Sequence, residues 1–118
     1  MHNVSMFIKY NINIYYKKLK HSILTFSMLK KYLVEFLGTF FFLFVIFYTG
    51  NFIAIGAALA LVIYLGGKIS GGNFNPAVSI MMVFAGKLPM NDLAGYISAQ
   101  ILGGLASFGL YSQLGKFK

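Results

Sequence analysis

The chain has 118 residues, of which 58% are hydrophobic, 18% aromatic and 10% charged, with a formal net charge of +8. Soluble domains carry about 25% charged residues, so the ionic surface that would hold a globule in water is missing, and the same apolar content excludes disorder. With no Cys there is no disulfide scaffold, no thiolate chemistry and no Cys-bound metal, which leaves a small integral membrane protein.

The charges are unevenly placed. All ten cations are Lys, six of them (Lys9, Lys17, Lys18, Lys20, Lys30 and Lys31) precede residue 32, and the only acids are Glu35 and Asp92. Nucleic acid is not an expected partner, because no Arg is available for bidentate base contacts and the Lys-rich start adjoins an apolar segment. These lysines fit positive-inside charge, with the N-terminus in the cytoplasm, or a contact to anionic membrane lipid.

Residues 1–29 mix Asn, Lys, Ile and Tyr without a clear helical or alternating period. They carry no unbroken apolar core or small-residue cleavage site of a signal peptide. The segment reads as a basic, aromatic, loosely ordered extension, with a membrane-surface segment as the alternative; translation from Met28 would omit it. Residues 30–118 form the organised part. A first span covers 32–48, 17 residues with one charge, about 25 Å as a helix, helped across by Lys30, Lys31 and flanking tyrosines. A turn-like break, Thr49-Gly50-Asn51, precedes a second span over 52–67, with small residues at spacing four (Ala54 and Ala58, Gly56 and Ala60) that suit close helix packing in lipid.

Residues 68–86 read as a re-entrant loop and half-helix. A helical run over 76–85 reaches only about 15 Å, half a bilayer core, before Gly86, Lys87 and Pro89 end it. The last span, 93–114, reaches about 33 Å and carries one stripe of small residues, Gly95, Ala99, Gly103 and Ser107. The expected fold is an all-α membrane protein with three transmembrane helices and one re-entrant half-helix.

The chemistry concentrates at Asn75-Pro76-Ala77. Pro is best tolerated at the first helical position, and Asn is among the best N-caps because its side-chain oxygen accepts from an orphan N–H. Gly71 and Gly72 allow the tight backbone needed to fold a chain back at membrane depth. Irregular backbone is tolerated there only when buried in protein or lining a watery cavity. A half-helix N-terminus near the midplane presents a positive dipole end. The Asn75 amide would donate to a solute oxygen and the carbonyls of residues 71–74 would accept from the solute. A neutral hydrogen-bonding molecule such as water would exchange its hydration for fixed partners, and a cation would be repelled. The plain alternative is a cap on a surface helix, which the flanking apolar spans, the Gly pair and the half-length helix argue against.

SGGNFNPAVSI, residues 70–80, resembles the first signature loop of the aquaporin and glycerol-facilitator (major intrinsic protein) family, whose usual form is SG-x-H-x-NPAV-S/T. VEFLGTFFFLF at 34–44 is similar to the family's first helix and YISAQILGG at 96–104 to its third. The resemblance implies a channel for passive flow of water or small neutral solutes, with Asn75, Pro76 and Ala77 as the pore motif and Gly71, Gly72, Asn73 and Phe74 as the pore loop. It gives Glu35 and Gln100 as side chains bracing that loop and Ile55 as the second-helix selectivity position. Read from the residues alone, Glu35 is equally an interfacial acid offsetting Lys31, Gln100 an interhelical polar contact and Ile55 an ordinary apolar side chain. The resemblance further implies oligomers, usually tetramers, and no cofactor.

Three departures matter. Asn73 stands where the family has His, and Ile55 stands where an aromatic is frequent. The family is built from two inverted repeats, whereas this sequence has one motif and, lacking Arg, cannot carry the constriction Arg of the second repeat. A pore therefore needs a second half-repeat, and a truncated channel, a split channel and a self-assembled dual-topology pore are expected in that order. The competing class is a non-conducting small membrane protein with a structural or interaction role that keeps the half-fold. An enzyme is not expected: the two carboxylates stand alone, and His2 and His21 both lie in the N-terminal extension.

Overall fold

The computed structural model describes residues 1–115. Its helices are α1 (His2–Thr49), α2 (Phe52–Ser70), α3 (Pro76–Phe84) and α4 (Met90–Gly115), and no strand occurs among the described residues. The protein is an all-α membrane protein: α1, α2 and α4 are long and apolar enough to cross a bilayer. The nine residues of α3 rise only about 13 Å.

The first helix differs from the sequence reading. Residues 2–29, expected to lack regular structure, are continuous with the first span in one helix of 48 residues, about 72 Å long. No Gly or Pro occurs before Gly38 to interrupt it. Asn11 Nδ2 and Thr25 Oγ1, which could compete with the helix, instead donate to the carbonyls of Phe7 and His21 one turn back. This first half of α1 is exposed almost throughout, so the molecule extends 77 Å along its longest axis. α1 ends at Gly50 in the left-handed region, and Asn51 caps α2 by accepting from the N–H groups of Ile53 and Ala54 at 2.9 and 3.1 Å.

α1 packs against both α2 and α4, and α3 packs against α4. The small-residue stripe of α4 seats it on α1: Ala99, Gly103 and Ser107 are buried. A Cβ on Gly103 would overlap the Phe36 carbonyl oxygen, and one on Gly95 would overlap the Tyr32 ring. Phe47 against Phe108 and Tyr111 closes the far end of this seam. On α2, Ala58 is buried, whereas Gly56 meets nothing within 4 Å. α2 runs one turn past residue 67 to Ser70, and α4 begins at Met90, directly after Pro89.

Candidate functional site

The loop between α2 and α3 is built from backbone that few residues adopt. Gly71 (φ 90) and Gly72 (φ 69) end α2, and Phe74 follows at φ 51. Glycine takes this region without strain; Phe74 does so at a cost of about 1–2 kcal/mol, offset by where its ring goes. Phe74 is 2% exposed, wedged between α1 and α2. A Cβ on Gly38 would overlap the ring, and one on Gly66 would lie 3.2 Å from Phe74 Cζ. The glycines of two helices thus make the slot that fixes the loop.

Glu35 of α1 fixes it from the other side. Its carboxylate has no exposure and accepts four hydrogen bonds. Ser70 Oγ (2.6 Å) and the Asn73 N–H (3.1 Å) donate to Oε1; the Phe74 N–H (2.6 Å) and Gln100 Nε2 (2.9 Å) donate to Oε2. A buried anion is costly unless its lone pairs are met, and here donors come from α2, the loop and α4 together. Gln100 Nε2 also donates to Ser79 Oγ on α3 at 2.7 Å, and Asn73 Nδ2 donates to the same oxygen at 3.1 Å. The Ser70 carbonyl accepts from Tyr96 Oη, while Ser70 Oγ accepts from the Gly72 N–H at 3.1 Å. Gln100 Oε1 has no partner; turning that amide over would set an oxygen against the carboxylate, so the NH₂ faces Glu35.

Above this bracket stands Asn75. It is exposed and extended (φ −158, ψ 127), and its Oδ1 accepts from the Ala77 N–H at 2.8 Å while Pro76 takes the first helical position. With Oδ1 held, the Nδ2 of this exposed residue donates to no other described group. Ala77 is exposed and Pro76 half-buried. On the other side of the loop a cavity of about 310 Å³ is lined by Ser70, Gly71, Asn73, Met82, Lys87 and Leu88.

The structure therefore brings Glu35, Gln100, Gly71, Gly72, Asn73, Phe74, Asn75, Pro76 and Ala77 into one assembly. Ile55 sits apart: it is half-buried in the first turn of α2, about 22 Å along that helix from Ser70. Sequence reasoning did not single out Ser70, Ser79 or Tyr96. The two serines are the outer hydroxyl positions of the 70–80 motif, a signal that was present. Tyr96 opens the 96–104 run, but its bond to the Ser70 carbonyl depends on where α4 packs.

A family model for the major intrinsic proteins matches residues 22–116, from midway along α1 through the loop to the end of α4. The chain belongs to the major intrinsic protein family. Among its relatives, the glycerol uptake facilitator protein-like 6 of Lactiplantibacillus plantarum is 43% identical over 88 residues, covering 67% of this chain and 41% of the relative. Aquaporin Z of Brucella melitensis is 39% identical over 95 residues, 68% of this chain and 42% of the relative. The probable glycerol uptake facilitator of Thermotoga maritima is 50% identical over 48 residues, 41% of this chain and 20% of the relative. This family member thus spans about two-fifths of the length of the first two relatives, and residues 2–21 of α1 precede the matched region.

Proposed function

We propose that the chain supplies one half of a membrane channel for water or small neutral solutes, and that a second half-repeat completes the pore. The observation that carries this is the Asn75 amide: its oxygen is tied to Ala77 and its NH₂ is exposed at the N-terminus of a half-length helix. The loop that positions it is held by a fully buried carboxylate. A neutral solute exchanges water for Nδ2 and the adjacent loop carbonyls without a charge being desolvated. The relatives carry both aquaporin and glycerol-facilitator names, which supports water or small neutral solutes as the transported class. Asn75, Pro76 and Ala77 are the solute-facing motif in this reading. Glu35 and Gln100 brace the loop, and Ile55 lines the path nearer the α1–α2 turn. The chemistry in this reading is passive transport, not catalysis, and the lysine bias before residue 32 supports a cytoplasmic N-terminus. The second half-repeat comes from further sequence on the same polypeptide or from another chain; an inverted copy is disfavoured by the same lysine bias.

The test is osmotic swelling of proteoliposomes holding the chain alone or with the C-terminal half of an aquaporin. Water or glycerol permeability above empty vesicles is expected with the second half and lost in Asn75→Asp. Correctly inserted protein that leaves permeability at the empty-vesicle level in both arrangements overturns the channel reading in favour of a non-conducting membrane protein.

A further inference from the structure

Among the described residues, three side-chain atoms are buried without a hydrogen-bond partner: Thr39 Oγ1 on α1, and Gln100 Oε1 and Ser107 Oγ on α4. Their residues are 2%, 1% and 0% exposed. Hydroxyls on exposed helix faces behave otherwise. Thr25, Thr49 and Ser98 each donate to the carbonyl one turn back, at 2.9, 2.7 and 2.7 Å. Thr39 and Ser107 make no such bond, although their own helices offer it. The register of the α1–α4 seam sets the three atoms in one file. Tyr32 lies against Gly95, Phe36 and Phe40 against Gly103, and Phe47 against Phe108 and Tyr111, so the two helices run side by side in the same direction. Thr39 is then level with Gly103, about 4.5 Å past Gln100 and 6 Å short of Ser107 along the axis. It stands one turn beyond Glu35, which already meets Gln100, and Gln100 and Ser107 share a face of α4 at spacing seven.

We infer that this file binds two buried waters, one bridging Gln100 Oε1 to Thr39 Oγ1 and the other bridging Thr39 Oγ1 to Ser107 Oγ. A water making two O–H···O bonds spans about 5.5 Å, which matches the steps along the file where a direct bond does not. The donors and acceptors also match. Gln100 Oε1 only accepts, so the first water donates to it; a hydroxyl both donates and accepts, so Thr39 serves both waters. A dry seam would leave an amide oxygen and two hydroxyls stripped of water among apolar side chains, which is costly; buried water satisfies such groups. The pair of waters carries the polar bracket of Glu35 further along the α1–α4 seam. The site stands on the packing of α1 against α4 and not on whether the chain conducts.

The test is water-edited solid-state NMR of the full chain in lipid vesicles, reading transfer of water magnetisation to the Thr39 and Ser107 side chains. Fast transfer is expected at both and not at Val62, which is also buried but carries no hydroxyl. In Thr39→Val, which removes the partner the two waters share, transfer at Ser107 should fall to the Val62 level. An SDS titration of the full chain in neutral detergent supplies the energetic sign. Thr39→Val keeps the side-chain shape. In a hydrated seam it strands both waters and should raise the unfolding constant about tenfold; in a dry seam it removes an orphaned hydroxyl and lowers that constant. Transfer at Thr39 and Ser107 no faster than at Val62 overturns the proposal, whether the hydroxyls are then dry or bonded directly to each other. So does a Thr39→Val variant as stable as the parent or more so.

Discussion

Glu35→Gln removes the charge at the centre of the loop bracket while keeping its shape. The carboxylate accepts two donors on each oxygen, whereas an amide offers one oxygen and an NH₂. The least costly arrangement leaves the oxygen toward Phe74 N–H and Gln100 Nε2 and turns the NH₂ toward Ser70, whose hydroxyl rotates to accept it. The Asn73 N–H is then orphaned, at about 1–3 kcal/mol, and the remaining bonds lose their charge assistance. Relief from burying an anion offsets part of this, for a net loss of about 2 kcal/mol. Glu35→Ala orphans all four donors and should cost about 4 kcal/mol, in the range for breaking a buried charge network. Because the chain has no Cys, a single cysteine at Ala99, 8% exposed in the α1–α4 seam, reports unfolding through its labelling rate during an SDS titration in neutral detergent. A Glu35→Gln variant within about 0.5 kcal/mol of the parent, the range of inconsequential surface changes, would refute the bracket. So would equal losses for Gln and Ala.

The same titration checks five further substitutions. Gly38→Ala drives a methyl into the Phe74 ring, which its left-handed backbone keeps from retreating, at about 1–3 kcal/mol; Gly56→Ala, with nothing within 4 Å, should be neutral or stabilising by up to about 1 kcal/mol. Asn75→Ala should lose about 1 kcal/mol with its cap, whereas Asn75→Asp keeps the capping oxygen and near-parent stability. Both should abolish swelling in the proteoliposome assay, separating the cap from the outward donor. Tyr96→Phe keeps the edge-on contact to Tyr32 at 5.9 Å but loses the bond to the Ser70 carbonyl, at about 1 kcal/mol.

What was legible beforehand was what local chemistry determines. Asn75 capping a Pro-led helix needs only adjacent residues, and α2 and α4 announce themselves as apolar runs with small-residue stripes. Glu35 and Gln100 were ambiguous from their own helices, because a lone polar residue on an apolar face does not reveal what it points at. Sequence separations of 35 to 65 residues put their partners beyond any local pattern. The continuation of α1 through residues 2–29 carries no amphipathic period to reveal it and rests instead on the absence of helix breakers. Phe74 at positive φ was illegible too: only the slot between Gly38 and Gly66 makes an aromatic acceptable in that conformation.

The bracket around Glu35 also has a consequence in time. Its donors come from residues 70, 73, 74 and 100, and synthesis delivers them from the N-terminus onward. The hairpin of α1 and α2 is complete well before the ribosome reaches Gln100, and until then one oxygen of a membrane-embedded anion is short of a partner. α4 is therefore the latch of the half-fold, and the re-entrant segment takes its final shape only after the chain has crossed for the third time.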